Sequence, residues 1–241
     1  MSGGWILAFD TATRATAVAL ANDRGDELVA RDDPPRGQRP RHAARLLPLC
    51  AEVLEQAGIG YLELERLAVG VGPGTFTGLR IGVATARALA QASSVPLVGV
   101  STLHSLALNA DSASPPGGVQ AVAAVLDARR GEAFAAVWQL DQLHGDPLIG
   151  PGAFTPEALT ERLAALGLSL LALGEGAVEF RQVLEGSGAF IPDDEAPLHR
   201  VTATGHCRLA RHLPAADPAQ VTPHYLRLPD AEIARRAAGK Q

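Results

Sequence analysis

Apolar residues in this chain come in short blocks set apart by polar, glycine-bearing turns. Residues 5–9 form a compact apolar run that ends in Asp10, and residues 16–21 form a second. Positions 22–25 read Asn-Asp-Arg-Gly, a strong turn signal, and residues 27–31 can extend again. Three strands joined by tight connections predict an antiparallel meander. The period then changes. Over 41–57, Leu46, Leu47, Cys50, Val53, Leu54 and Ala57 share one face at helical spacing, with Pro48 inside, so the regular helix either starts late or kinks there. Residues 67–72 read as a buried strand, 79–92 as a helix of small side chains, 97–100 as another strand and 101–109 as a short helix.

The second half repeats this order. An apolar strand over 119–126 ends in Asp127, a tight Ala-Arg-Arg-Gly turn leads to a strand over 132–139, and another strand lies near Leu148. Thr155-Pro156-Glu157 reads as a helix start with Thr155 as N-cap. A strand over 168–173 and helices over 177–184 and 201–213 follow. Two copies of strand-strand-strand-helix-strand-helix, each with an aspartate closing its first strand, predict duplicated α/β domains that face each other, with right-handed connections between the helix-linked parallel strands. The expected division is 1–105 and 106–221, with the tail at 222–241 returning to the first lobe. Residues 31–45, with five arginines and three prolines, and residues 112–118, Ser-Ala-Ser-Pro-Pro-Gly-Gly, are the clearest loop signals.

Composition narrows the function. With 47% hydrophobic and 20% charged residues, the 241-residue chain can bury the core of one large or two small domains. A formal net charge of −5 argues against a free-standing nucleic-acid binder, which needs a basic face. The two cysteines, Cys50 and Cys207, lie far apart in sequence and read as inert thiols of a reducing compartment. The run at 5–9 is too short for a signal peptide and no stretch reaches the length of a membrane span, so a soluble cytoplasmic protein without membrane contact is expected. No two histidines are four apart, and there is no HExxH and no nucleophile elbow, so metalloenzyme and hydrolase readings are poor.

Two stretches could carry binding chemistry. Residues 70–80, Gly-Val-Gly-Pro-Gly-Thr-Phe-Thr-Gly-Leu-Arg, lead into a helix whose free N–H groups suit a phosphate or carboxylate, with Thr75 or Thr77 as cap. The alternative is a tight strand-to-helix turn packed on a neighbour. It is not a Walker A loop, because no Gly-Lys-[Ser/Thr] is present. Asp10, Thr11 and Thr13 at a strand end could hold a hydrated cation or a phosphate, or could simply close a hairpin. Together, Asp10, Thr11, Thr13, Gly72, Gly74, Thr75, Thr77 and Gly78 are candidate nucleotide- or anion-binding residues. Arg129 and Arg130 join them from the matching turn of the second half, as an anion site or as a charged hairpin tip. Leu-Gly-Glu-Gly-Ala at 173–177 could approach an adenosine, a weak signal.

The segments at 6–13, 72–82, 99–103, 127–132 and 223–227 together make the chain resemble the TsaB (YeaZ) family from residue 6 to residue 227; the specific part is Gly-Pro-Gly-Thr-Phe-Thr-Gly-Leu-Arg-Ile-Gly at 72–82. The resemblance implies two ribonuclease-H-like lobes of the actin, sugar-kinase and Hsp70 superfamily. It implies a non-catalytic subunit that pairs with a catalytic paralogue, TsaD, is joined by the ATPase TsaE, and dimerises with itself when alone. The complex transfers threonylcarbamoyl to N6 of adenosine 37 in tRNAs reading codons that begin with A, and tRNA is met only through it. No cofactor is expected on this subunit alone, with ATP or ADP at the partner interface left open. A His-x-x-x-His pair like that of TsaD is absent, and His104 stands alone. An ATP-dependent small-molecule kinase of the same superfamily is the alternative. Family members pair through helices of the first lobe. On the 79–92 helix, Leu79, Val83, Ala86 and Ala90 form one face and Ile81, Thr85, Ala88 and Ala92 a second, so one is expected on the sheet and the other at a subunit interface. Leu46, Leu49 and Val53 of the preceding helix are further interface candidates. No residue is expected to be catalytic and none to bind metal.

Overall fold

The computed structural model describes residues 4–35, 37–113, 115 and 117–227. The loops expected at 31–45 and 112–118 therefore include residues 36, 114 and 116 that lie outside the described residues, as does the 228–241 part of the expected C-terminal return.

The meander is present. Strands β1 (Trp5–Asp10), β2 (Thr16–Ala21) and β3 (Glu27–Asp32) pair antiparallel, with Phe9 opposite Val18 and Val18 opposite Ala30. Asn22 builds the second turn, its Oδ1 accepting the N–H groups of Arg24 and Asp26. Helix α1 (His42–Ala57) leads to β4 (Leu64–Gly72), α2 (Phe76–Ser93), β5 (Leu97–Ser101) and α3 (Thr102–Ala107), and the sheet order is β3-β2-β1-β4-β5 with β4 and β5 parallel to β1. The second lobe holds β6 (Ala121–Arg129), β7 (Glu132–Gln139), β8 (Ile149–Phe154), α4 (Pro156–Ala165), β9 (Leu170–Leu173), α5 (Glu175–Glu179), α6 (Arg181–Glu185) and α7 (Ala203–Ala210), in the order β8-β7-β6-β9. It repeats the first plan without a full fifth strand, in whose place Phe190 makes a single parallel bridge to Leu171. The two lobes thus share one plan, an antiparallel meander extended by a parallel strand, as expected of duplicated α/β domains.

Local differences have local causes. Helix α1 runs unbroken from His42 through Pro48, which excludes a late start. Its buried residues are His42, Leu46, Leu49, Cys50, Val53 and Leu54, a regular stripe, so Leu49 rather than Leu47 faces inward and Leu47 is left 49% exposed. The helix expected over 177–184 is two short ones broken at Phe180. Thr155 caps α4 as expected, its hydroxyl accepting the Ala158 N–H.

Both sheets are covered on both faces, which is why β1 reads apolar without alternation. In β1, Leu7 and Phe9 point into an outer core with Leu46, Val53, Val83 and Ala86 of α1 and α2, while Ile6 and Ala8 point into a central core between the lobes. Ala17, Ala19 and Ala21 of β2 and Ala68 of β4 also face the centre. A third core lies between the second sheet and α4–α6.

The central core is filled by exchanged helices. The chain enters α3 directly from the first sheet, yet α3 lies against β6 and β7 of the second; α7 follows the second sheet, yet packs on β1, β2, β4 and β5 of the first. The two helices touch each other, and Gly205 of α7 lies so close to Ser105 of α3 that a Cβ there would meet the serine backbone. Alanines on the first sheet's inner face let α7 approach, and each extra methyl would push the lobes apart.

Ala86 is 0% exposed on the packed face of α2. Ala86→Glu buries a carboxylate without a partner and is expected to cost about 3–5 kcal/mol; a melting temperature equal to wild type would show that this face is not the packed one.

Candidate functional site

The glycine-rich turn between β4 and α2 folds against the turn that follows β1. The Thr75 N–H donates to the Ala12 carbonyl at 2.7 Å, and the Thr11 hydroxyl donates to the Gly78 carbonyl at 2.7 Å. A Cβ on Gly74 would overlap Ala12, and one on Gly78 would overlap the Thr11 carbonyl. Backbone lies on backbone, and glycine is required because of that approach. Thr75 occupies the N-cap position of α2 but makes no side-chain cap bond.

Asp10 points inward from the end of β1 and is 1% exposed. Its Oδ1 accepts the Ala12 N–H at 2.6 Å, and its Oδ2 accepts the Thr102 hydroxyl from the first residue of α3 at 2.8 Å. Nε2 of His206, in the middle of α7 and 0% exposed, lies 3.0 Å from the same Oδ2. The other ring nitrogen of His206 lies 3.1 Å from the Thr202 carbonyl, which can only accept. Burial pushes the Asp10 carboxyl up, but His206, the Ala12 N–H and the Thr102 hydroxyl outweigh it and hold it below the usual carboxylate range. The acid is therefore an ionised core residue, consumed by internal partners, with Gly70 leaving it room.

Between the lobes lies a cleft of about 460 Å³. The first lobe lines it with Thr13, Arg14, Arg31 and Asp33, and the second with Asp127, Arg129, Glu175, Glu179, Glu195 and Arg200, among others. Several of these charges are already engaged: Arg14 donates to the Pro35 and Gln38 carbonyls, Arg31 to Asp33 and the Val201 carbonyl, and Arg129 lies 3.5 Å from Asp127. Solvent reaches Glu175, but the cleft walls surround it. That burial and the Asp127 carboxylate push its pKa up against the pull of Arg129, Arg14 and Arg31. Arg129 and Arg130 sit at the tip of the β6–β7 hairpin with φ of 66° and 57°, followed by Gly131 at 75°; Arg130-Gly131 is the two-residue loop between the paired Arg129 and Glu132.

The third feature is the outer side of α2. Ile81 and Thr85 are half-buried, and Ala84, Ala88 and Ala92 are exposed. At its first turn, the Arg80 guanidinium stacks on the Phe76 ring at 3.8 Å and donates to the Tyr225 hydroxyl at 3.1 Å, and the Tyr225 and Phe76 rings lie 5.0 Å apart.

The sequence candidates are thus dispersed. Asp10 and Thr11 are sealed in the core, where no ligand reaches them, because the carboxylate turns toward α7 and the hydroxyl toward the glycine turn. Gly72, Gly74, Thr75, Thr77 and Gly78 do not line the cleft; only Thr13 and Arg129 of the nucleotide- or anion-binding set do. Of the interface candidates, Leu46, Leu49, Val53, Leu79, Val83 and Ala86 are inside the core and present nothing to a partner, whereas Ile81, Thr85, Ala88 and Ala92 face outward. Sequence reasoning missed His206 and Thr102 as partners of Asp10. The only signal was an acid within an apolar strand end, which demands a counter-charge without naming it. His104 is half-buried, stacked on Trp138 at 4.8 Å, and burial pulls its pKa down. Among the described residues no group of three or more acids, histidines and cysteines is arranged to hold a metal ion.

Two outcomes follow from this geometry. Gly74→Val forces the two turns apart and is expected to cost about 1–3 kcal/mol; an unchanged melting temperature would mean that the turn is not a packing element. Because the raised pKa makes folded protein hold the Glu175 proton more tightly than unfolded chain does, this group favours folding below the ordinary carboxylate range and opposes it as pH rises through the shifted value. Glu175→Gln should therefore melt higher than wild type at pH 7, with the gap closing at pH 4. A gap that is absent at pH 7 or widens on acidification would contradict the assignment.

The family model described as "TsaD: tRNA N6-adenosine threonylcarbamoyltransferase" matches residues 34–234. The Escherichia coli tRNA threonylcarbamoyladenosine biosynthesis protein TsaB is 36% identical over 200 residues, 80% of each chain. The Bacillus subtilis protein of the same name is 28% identical over 233 residues, 94% of this chain and 96% of its own. Among solved structures, YeaZ from Pseudomonas aeruginosa superposes with a TM-score of 0.75 at 30% identity, covering 92% of this chain and all of that one. Family model, relatives of near-equal length and a shared two-lobed fold agree, and the chain belongs to the TsaB (YeaZ) family.

Proposed function

We propose that this chain serves tRNA threonylcarbamoyladenosine biosynthesis as a non-catalytic dimerisation and scaffolding subunit. The observation that carries the reading is the outer side of α2, where, among the described residues, Ala88 and Ala92 are exposed and Ile81 and Thr85 half-buried while Leu79, Val83 and Ala86 opposite are packed. Small side chains on an exposed helix allow a second helix to approach closely, and an apolar strip without cover favours association. The sealed Asp10 supports the non-catalytic half of the reading, because an acid tied to His206 and Thr102 at 1% exposure is out of a substrate's reach.

The partner in this reading is the catalytic paralogue TsaD, with TsaE joining the pair, a self-paired dimer in its absence, and tRNA met only in the complex. The setting is the cytoplasm; no described helix is long and apolar enough to cross a membrane. ATP or ADP, where present, belongs to the partner interface. The kinase alternative would need an open carboxylate and a phosphate-accepting cleft. Here six acids against four arginines line the cleft, which disfavours a polyanion.

Ala88→Glu tests the reading. Its side chain lies on the outer face, so the variant should fold and melt as wild type does. Its association with TsaD and with itself should weaken by roughly thirty-fold or more in sedimentation and pull-down, the scale of losing an interface hot spot. A folded variant that associates as tightly as wild type would remove α2 from the interface. The pure chain, given tRNA and threonylcarbamoyl-adenylate, should form no modified adenosine until TsaD is added.

A further inference from the structure

Residues 221–227 run across the first lobe and reach the second. Val221 is 5% exposed and belongs to the outer core beneath α2. Three residues later the His224 N–H donates to the Val71 carbonyl at 2.7 Å, at the end of β4. Gly72 makes room for this crossing: its φ is 113°, and a Cβ there would come within 2.9 Å of the His224 carbonyl. Tyr225 then packs on Phe76 and accepts from Arg80, both on the first turn of α2. Two residues on, the Arg227 guanidinium reaches the other lobe, donating to the Ala128 carbonyl at 3.2 Å and lying 3.1 Å from the Glu132 carboxylate. Ala128 and Glu132 flank the tip of the β6–β7 hairpin, and that hairpin lines the cleft with Leu126, Asp127 and Arg129.

We propose that residues 221–227 are a strap that couples the first turn of α2 to the β6–β7 hairpin, so that occupancy of the α2 face is read at the interlobe cleft. The Tyr225 and Arg227 contacts are held by the same short run of backbone, anchored at Val221 and at the Val71 carbonyl. Moving Phe76 or Arg80 displaces Tyr225, and Arg227 cannot keep both the Ala128 carbonyl and the Glu132 carboxylate once the backbone between them shifts. Coupling through such a shared element is reciprocal: a partner that orders the α2 end orders the hairpin, and a cleft held in one geometry favours one setting of α2. The first half, that the strap links the two places, stands on the chain alone; the second rests on the reading of α2 as the partner face.

Hydrogen exchange of the full-length chain separates the two halves. In the free protein, Tyr225→Ala should speed exchange in the 126–134 hairpin by about three-fold or more. Arg227→Met should do the same, and the double variant should be no faster than the faster single one. Tyr225→Phe, which removes only the hydroxyl that holds Arg80, should act in the same direction if the alanine variant fails to fold. A hairpin exchanging at the wild-type rate in the Tyr225 variants, or a double variant whose effect is the product of the singles, would overturn the strap. With saturating TsaD, hairpin exchange should slow in wild type and not in Arg227→Met. Equal slowing in both would overturn the coupling to the partner. If TsaD binds neither protein, the scaffolding reading falls, and the coupling to a partner with it, while the free-chain result still decides the strap.

Discussion

An ionised carboxylate at 1% exposure must be neutralised where it stands, and much of this structure is arranged around that requirement at Asp10. The partners come from three places: the Ala12 N–H just beyond β1, the Thr102 hydroxyl at the start of α3, and His206 in α7, whose Nε2 lies 3.0 Å from the carboxylate. None of the three can be withdrawn without leaving buried charge. The requirement therefore fixes where α3 begins, how α7 is rotated about its axis, and why β4 carries Gly70 opposite the acid. The same residue that would face a ligand in an open site here ties the two exchanged helices to the first sheet.

Side-chain size does the rest. On the first sheet, leucines, valines and Phe9 meet α1 and α2, while the inner face is largely alanine and receives α7 closely. On the second sheet the inner face carries Leu126, Phe134 and Trp138, large residues that meet α3. The lobes share a plan and divide the volume between them unequally. The outer side of α2 is small for a different reason: Ala84, Ala88 and Ala92 stay exposed among the described residues.

How far the sequence spoke depended on whether the cause was local. The meander, the helix at α1, the hairpin at Arg129–Glu132 and the Thr155 cap were legible because each rests on neighbours in sequence: a turn of Asn-Asp-Arg-Gly, a helical period, a hydroxyl before an apolar stripe. The two faces of α2 were legible as apolar, but which one packs was not, since alanines on both sides give the wheel no preferred direction. Leu47 and Leu49 lie on opposite flanks of the apolar stripe, about 160° apart on the wheel, and only the position of the sheet decides which flank is buried. The break at Phe180 has no glycine or proline to announce it. The site was read least well. Asp10 looked like a ligand because one of its partners is supplied by a helix near the other end of the chain, and no spacing rule connects positions 10 and 206. The glycine turn looked like a phosphate cradle because close approach to a ligand and close approach to another stretch of backbone demand the same residue.

The exchange of α3 and α7 also bears on how the chain could be divided. A cut in the loop between α3 and β6 would leave the first fragment with a sheet whose largely alanine inner face is uncovered, because its covering helix lies on the other piece. The second fragment would likewise lack the helix that fills the space above Phe134 and Trp138. Neither piece could complete its own core, yet each would carry the missing part of the other. The natural outcome is fragment complementation: two halves inert when made separately that restore one protein when made together.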